Sequence, residues 1–561
     1  MKNSLKRSVV LISSLMAVNA FAIDKPLKKS WVNSIHCSQQ SMQRVAESLQ
    51  NTVVTEATML STPVEHCQVI GHVTTDNPGP NQVNFKVLLP TEHNNRFYFQ
   101  GWGGSAGSLE NPSDPVLEKG YAVAVTDTGN QSAAPGSGGG LDWRFMFDEA
   151  KALDYDRRGG HVATVAAQAL TRAYYGLNGF PRGKHHRGKL WRYHSGCSGG
   201  GRMGISAAVE YPDDYDGIVL GAPGRTLANI LHFGKVAQYV QNNIDLTTDP
   251  APLLNMIIAG NLIEQQWDAA DGAIDGQIWD PSVVDISPEQ LDQLLALGGE
   301  ISDEWRTVLD MVQEGYDLRH LGGIVNIGPY YLSSIIEWPL WTPQELAPGV
   351  FFFFPNQVFG TVTQGAFGPD YNFIDSWDFN SAYDELALLE EWDNLNFAKQ
   401  NSGADFSKFR NKGGKLLIWH GVHDAAIAYE SSVKMYEDLV AEAKLGFGKS
   451  RWRGKLDEQH AYNLQLRKTQ RWARLFPVPG IGHCQNGVAG DGPDDTSLAA
   501  LEALADWVEK GRAPEAITAE READGRTFKL CPYPGRSVFK GGVENPENLD
   551  VNDANNWYCE H

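Results

Sequence analysis

The sequence predicts an α/β fold, a mostly parallel sheet covered by helices on both faces and carrying a large insertion. Three observations predict it. Short runs of β-branched and aromatic residues recur along the chain, stretches with apolar residues at helical spacing alternate with them, and the alternation fails over one long internal segment. At 561 residues the chain also exceeds the roughly 100–200 residues of a simple domain, so an inserted unit is expected.

Taken in order, the N-terminus comes first. Lys2, Lys6 and Arg7 precede an apolar run from Val9 to Val18, and Ala20-Phe21-Ala22 follows. This is the pattern of a secretory signal peptide, residues 1–22, cut after Ala22 and too short for a membrane anchor. No cysteine follows the apolar run, so a lipid anchor is not expected. The protein is expected in the periplasm or secreted outright. Strands are expected at Asn84–Leu89, Arg96–Gln100, Tyr121–Thr126, Trp191–Ser195, Gly217–Leu220, Lys415–Trp419 and Ala473–Val478. Helices are expected at Gly160–Tyr175, Gly199–Glu210, Ser432–Ala443 and Leu498–Lys510. The segment 224–410 is rich in Pro, Gly and aromatic residues. It reads as an inserted lid between two parts of one sheet domain, 23–223 and 411–561. A net charge of −21 argues against nucleic acid and anionic membranes as partners.

The six cysteines, an even number in an exported chain, suggest disulfides whose pairing the count leaves open. No C-x-x-C is present, so thiol redox chemistry has no support. Gly196-Cys197-Ser198-Gly199-Gly200 fits G-x-S-x-G between an expected strand and an expected helix. That is the nucleophile turn of an α/β-hydrolase fold, in which small flanking residues relieve a strained backbone. The acid and base then follow in the order Ser, acid, His. Asp424 lies just past the strand in Leu416-Leu417-Ile418-Trp419-His420-Gly421-Val422-His423-Asp424, where an orienting carboxylate belongs. His420 and His423 are too close to it to serve as base and read as packing residues. His483 sits in the glycine-flanked turn Gly480-Ile481-Gly482-His483-Cys484 after the last strand. If Ser198 and His483 meet, their neighbours Cys197 and Cys484 meet too. A bond between them would fix the nucleophile loop to the base loop.

Two further motifs stand out. Gln100-Gly101-Trp102-Gly103-Gly104-Ser105-Ala106-Gly107 has the glycine density of a dinucleotide loop, but no suitably spaced acidic residue follows on a later strand. Asp268-Ala269-Ala270-Asp271-Gly272-Ala273-Ile274-Asp275-Gly276-Gln277 reads either as a solvated acidic turn or as an oxygen-lined loop for a hard cation, and its spacing is not that of an EF-hand.

The segments around Ser198, Asp424 and His483, with Asn95-Arg96-Phe97-Tyr98, Gly221-Ala222-Pro223 and Cys531-Pro532-Tyr533-Pro534, resemble the tannase and feruloyl esterase family over most of the chain. The resemblance implies a serine carboxylesterase with Ser198 as nucleophile, His483 as base and Asp424 as its orienter. It implies an oxyanion hole from the N–H groups of Gly199 and Gly104. It implies a structural Ca²⁺ in the lid on Asp268, Asp271 and Asp275 and the carbonyls of Ala273 and Gln277, and disulfides Cys37–Cys67 and Cys531–Cys559 beside Cys197–Cys484. One departure is Trp267, which stands where many members carry a lid cysteine. No Lys or Arg occurs from His320 to Ala398, while aromatics crowd the stretch: Trp338, Trp341, Phe351–Phe354, Phe359, Phe367, Tyr371, Phe373 and Trp377. The expected partner is therefore a small aromatic ester with an uncharged acyl group, such as a hydroxycinnamate or gallate. An acyltransferase on the same triad and a non-catalytic calcium-dependent binding protein are the alternatives.

Overall fold

The computed structural model describes residues 36–560 except 135–136, 138, 178–187, 225–226, 317–329, 348–349, 382, 389–404, 444–456 and 485–490. The expected signal segment lies outside the described residues.

The strands in chain order are β1 (Thr52–Leu60), β2 (His66–Thr75), β3 (Asn81–Pro90), β4 (Arg96–Gly101), β5 (Ala122–Thr126), β6 (Trp191–Cys197) and β7 (Gly217–Gly221). After a hairpin within the insertion, β8 (Gln344–Ala347) and β9 (Val350–Phe352), come β10 (Lys415–Gly421) and β11 (Ala473–Val478). Nine of them form one sheet in the order β1-β2-β3-β5-β4-β6-β7-β10-β11. The β1, β2, β3 and β5 pairings are antiparallel, and every pairing from β5 across to β11 is parallel.

The parallel strands are apolar throughout because both of their faces are covered. Along β10, Leu416 and Ile418 enter the core beneath the helices Gly159–Tyr174, Gly199–Glu210 and Tyr429–Ala441. Leu417 and Trp419 point the other way, into the core formed with Thr496–Lys510. The chain runs from β4 outward to β5, then returns to place β6 on the other side of β4. Strand order reverses between β4 and β6, and in open α/β sheets that crevice at the carboxyl ends is where ligands bind.

The insertion has a core of its own, with Trp305, Trp338, Trp341 and Phe359 fully buried. That core also takes in Met146 and Tyr155 from before β6, and Ala425 and Ala428 from after β10.

Two antiparallel strands, β1 and β2, were not expected from the sequence. β1 lies at the sheet edge and exposes most of its residues, so Thr, Glu and Ala break its apolar pattern. The expected helix at Ser432–Ala443 begins earlier, at Tyr429.

Candidate active site

The glycine loop after β4 and the turn after β6 face each other across the crevice, because β4 and β6 pair in register, Gly101 opposite Gly196. Ser198 has φ 58° and ψ −121°, a strained conformation for a residue with a side chain. It is held there from both ends. Its N–H donates to Gly221 O at 2.9 Å, and its carbonyl accepts from the N–H groups of Arg202 and Gly224, each at 3.0 Å. The flanking glycines are required by close backbone approach. A Cβ on Gly200 would lie 2.4 Å from Gly101 O, and one on Gly196 would lie 2.9 Å from the same atom. The strain presents the serine side chain at the N-terminus of the helix Gly199–Glu210, where unpaired N–H groups favour negative charge.

Gly104 packs directly on this helix start. A Cβ on Gly199 would lie 2.4 Å from Gly104 O and 3.1 Å from Gly104 N. The structure thus brings Gly104 and Gly199, the two expected oxyanion donors, into backbone contact beside Ser198.

Asp424 is buried in the turn after β10 and accepts four hydrogen bonds. Oδ1 takes the N–H groups of Ala426 and Ile427, both at 2.8 Å. Oδ2 takes His483 Nδ1 at 2.7 Å and His420 Nε2 at 3.1 Å. Burial alone would push this carboxyl up. The charges and hydrogen bonds of His483 and His420 outweigh it and hold the carboxyl well below the usual range, so Asp424 is an ionised acceptor.

His420 is more than the packing residue its sequence position suggested. Its Nε2 also lies 2.9 Å from Ile427 O, which can only accept, so Nε2 carries the proton. Its Nδ1 then accepts from the Ser432 hydroxyl at 2.7 Å. His420 therefore positions Asp424 from below. His423 is buried as expected and hydrogen-bonds through neither ring nitrogen among the described residues.

Cys197 and Cys484 are bonded, with Cα atoms 5.7 Å apart, closing a loop of 287 positions. Cys37–Cys67 and Cys531–Cys559 are also bonded, so all six cysteines pair as the resemblance implied. The central bond holds the residues before Ser198 and after His483 together. Ser198 and His483 share no hydrogen bond among the described residues, and such bonds commonly tighten only with substrate present.

The insertion reaches the loops of both Asp424 and His483. Trp341 Nε1 donates to Ala425 O at 2.7 Å, and Tyr330 Oη and Asn229 Nδ2 donate to Ala426 O at 3.2 and 3.1 Å. The Glu337 carboxylate packs on Gly482, within 3.1 Å of where a Cβ would stand. The aromatic-rich stretch divides. Trp338, Trp341, Phe353, Phe359, Phe373 and Trp377 are buried in the insertion's core, whereas Phe351 is exposed.

The acidic loop folds on itself. Both Asp268 oxygens accept backbone N–H groups, from Asp275 and Gly276 at 3.0 Å each. Asp271 Oδ2 accepts from Trp279 N at 2.6 Å, and Asp275 pairs with Arg526. Asp271 Oδ1, Gln277 Oε1 and Glu264 Oε1 are buried oxygens with no hydrogen-bond partner among the described residues. Burial raises the Asp271 carboxyl to about 7, with Asp275 and Asp268 adding repulsion. No group of three or more His, Cys, Asp or Glu among the described residues stands ready-made around a metal position.

A family model described as "Tannase and feruloyl esterase" matches residues 67–559. A probable feruloyl esterase B-1 of Neosartorya fischeri is 28% identical over 536 residues, covering 90% of this chain and 88% of that one. A mono(2-hydroxyethyl) terephthalate hydrolase of Piscinibacter sakaiensis is 26% identical over 564 residues, covering 88% and 85%. Among solved structures, feruloyl esterase B from Aspergillus oryzae superposes with a TM-score of 0.67 at 21% identity, covering 92% of this chain and all of that one. Tannin acyl hydrolase from Aspergillus niger gives 0.66 at 19%, covering 94% and 96%. The fold is that of an α/β-hydrolase, and with a family match spanning nearly the whole described chain, this protein belongs to the tannase and feruloyl esterase family and is a carboxylic ester hydrolase.

Proposed function

We propose that the chain is an exported serine esterase cleaving esters of uncharged aromatic acids through Ser198, His483 and Asp424. Ser198 Oγ attacks the ester carbonyl carbon while its proton passes to His483 Nε2. Asp424 holds Nδ1–H and stabilises the imidazolium that forms. The N–H groups of Gly104 and Gly199 receive the oxyanion. The ester C–O bond breaks as His483 returns the proton to the departing alcohol, leaving an acyl-serine. Water, deprotonated by His483, then releases the acid. The observation that carries this reading is the 2.7 Å Asp424–His483 bond, in a loop tied by Cys197–Cys484 to the residue before Ser198. Replacing Ser198 by Ala is expected to lower kcat on methyl ferulate by about 10⁴-fold or more and to abolish labelling by a fluorophosphonate. A Ser198→Ala enzyme that keeps its activity would overturn the assignment.

The uncharged acyl group rests on charge. The stretch from His320 to Ala398 contains no Lys or Arg. A substrate carboxylate would find no guanidinium or ammonium partner in that stretch. Methyl ferulate and methyl gallate are expected to be cleaved with higher kcat/KM than a terephthalate monoester. Three disulfides fit an oxidising compartment, in keeping with export.

We also propose that the acidic loop holds Ca²⁺. The donor set is all oxygen, as a hard cation requires, and it includes Asp271 Oδ1, a buried oxygen with no hydrogen-bond partner among the described residues. Asp268, Asp271 and Asp275 with the Ala273 and Gln277 carbonyls would hold the ion, which would neutralise clustered carboxylates and brace the insertion. Exhaustive metal removal with excess EGTA is expected to lower the thermal midpoint. An unchanged melt after complete removal would count against the site.

A further inference from the structure

Gly104 is an unusual residue to carry catalytic geometry. It has no side chain to anchor it, and its φ of +53° is one of several that glycine adopts at little cost. A turn of its backbone would swing its N–H away from Ser198. From within the loop, Ala106 N–H donates to Gly103 O at 3.0 Å and ties the peptide that carries this N–H, but the peptide on the other side of Gly104 has to be held from outside the loop.

Tyr155 does so in this structure. Its hydroxyl donates to Gly104 O at 3.0 Å and accepts from Trp143 Nε1 at 3.1 Å, which fixes the direction of the hydroxyl proton. The N–H of the same Gly104–Ser105 peptide donates to Gly140 O at 2.8 Å, so that peptide is tied at both ends. Tyr155 is itself buried and held from the nucleophile's helix. The Arg202 guanidinium lies 4.1 Å above its ring and donates through Nη2 to Tyr155 O at 2.9 Å. Arg202 Nη1 donates to Asp156 O at 3.0 Å, and Ser206 Oγ donates to the same carbonyl at 2.8 Å.

Tyr155 lies in a π-helical turn, Asp154–Arg158, a wider winding that occurs often at functional sites. The turn is itself anchored, because Asp154 accepts from Thr75 Oγ1 at 2.6 Å and Asn81 Nδ2 at 2.8 Å. A chain of contacts therefore runs from Arg202 and Ser206, on the helix that starts at the nucleophile, through the π-turn to the carbonyl of Gly104.

We infer that Tyr155 is a positioning residue of the oxyanion hole: it fixes the Gly104–Ser105 peptide, and so limits rotation at Gly104 and the direction of the Gly104 N–H, which lies in the preceding peptide, relative to the helix that begins at Ser198. The inference rests on the proposed roles of Ser198, Gly104 and Gly199. It assigns Tyr155 no contact with substrate. Loss of an oxyanion donor outright lowers kcat by about 10²–10³-fold, and loosening one should cost less.

The test uses the full chain and the variant Tyr155→Phe, which keeps the ring beneath Arg202 and removes only the hydroxyl. The expected result on methyl ferulate is a fall in kcat of about tenfold with KM unchanged. The rate of inactivation by a fluorophosphonate, whose phosphoryl oxygen must enter the hole, should fall by a similar factor. A purely structural role would lower the thermal midpoint without this split. Trp143→Phe, which frees the hydroxyl without removing it, is expected to give a smaller fall of the same kind, and it carries the test if Tyr155→Phe does not fold. Wild-type kcat in a folded Tyr155→Phe enzyme, with Ser198→Ala inactive, would overturn the inference alone. Activity retained in Ser198→Ala would instead overturn the reading on which it rests.

Discussion

Ser198 and Asp424 both follow the carboxyl end of a parallel strand, yet their loops are secured by different means. The Ser198 turn is held by main chain. Strand pairing brings Gly101 opposite Gly196, glycines allow backbone to touch backbone, and carbonyls of β7 and the turn itself complete the bonds. The Asp424 turn leans on the insertion, whose side chains Trp341, Tyr330 and Asn229 cap the carbonyls of Ala425 and Ala426. The first arrangement tolerates little change of any residue. The second depends on a unit of separate core, with no cysteine in its sequence, staying in place. The difference teaches that the insertion supports the Asp424 turn. The Cys197–Cys484 bond joins the main-chain-held Ser198 turn to the His483 loop.

The strongest way to break the comparison is to cut that join. Replacing Cys197 and Cys484 by Ala is expected to lower kcat by about a hundredfold, because small displacements of reacting groups are costly. It is also expected to destabilise the fold by roughly 5 kcal/mol on the chain-entropy account of so long a loop. Kinetics and denaturant unfolding of the double variant check both, and a normal kcat would mean that the main chain alone aligns the triad.

The next effect concerns the nucleophile side and is read as pH dependence. His194, in the middle of β6, is fully buried between Gly101 and Gly204, and its Nε2–H donates to Gly200 O at 3.0 Å. Burial lowers its pKa to about 4, against the hydrogen bond to Gly200, which raises it. The unfolded chain takes up this proton near pH 6.5 and the folded one only near 4. The contribution is therefore complete above pH 6.5 and lost as pH falls toward 4, on the order of 3 kcal/mol. Unfolding free energies at the two pH values should show it, and a His194→Gln variant should lose less over the same window. Equal losses would assign the acid sensitivity to other groups.

On the insertion side the effect is smaller. Trp341→Phe removes the donor to Ala425 O and leaves a buried carbonyl unpaired, a loss of about 2 kcal/mol. It should lower kcat several-fold through Asp424, while leaving Ser198 as reactive toward a small fluorophosphonate as its thermal stability allows.

Legibility followed the range of the physical signal. β10 and β11 were readable because a strand buried on both faces must be a continuous apolar run. β1 was not, because only two of its nine residues are buried and Thr and Glu interrupt any apolar run. Ser198, Asp424 and His483 stood out because each follows a strand end with glycine close by in sequence. His420 was discounted because four residues from Asp424 is too close for a base. The turn after β10 nevertheless folds back far enough for its ring to hydrogen-bond that carboxylate. The aromatic residues crowded into the insertion mostly form its core.

The sequence by itself determined the alternation of strands and helices, the strained serine turn, the order Ser198, Asp424, His483 along the chain, and the six cysteines available to pair. These are local, because each depends on residues close along the chain or on their order. Only the tertiary structure decided which side chains hold those residues in place. Tyr155 meets Gly104 across 51 positions, Trp341 meets Ala425 across 84, and Asn229 meets Ala426 across 197. Such bonds leave no periodic or spaced trace in a sequence, because a single donor and a single carbonyl are brought together by the packing of whole elements.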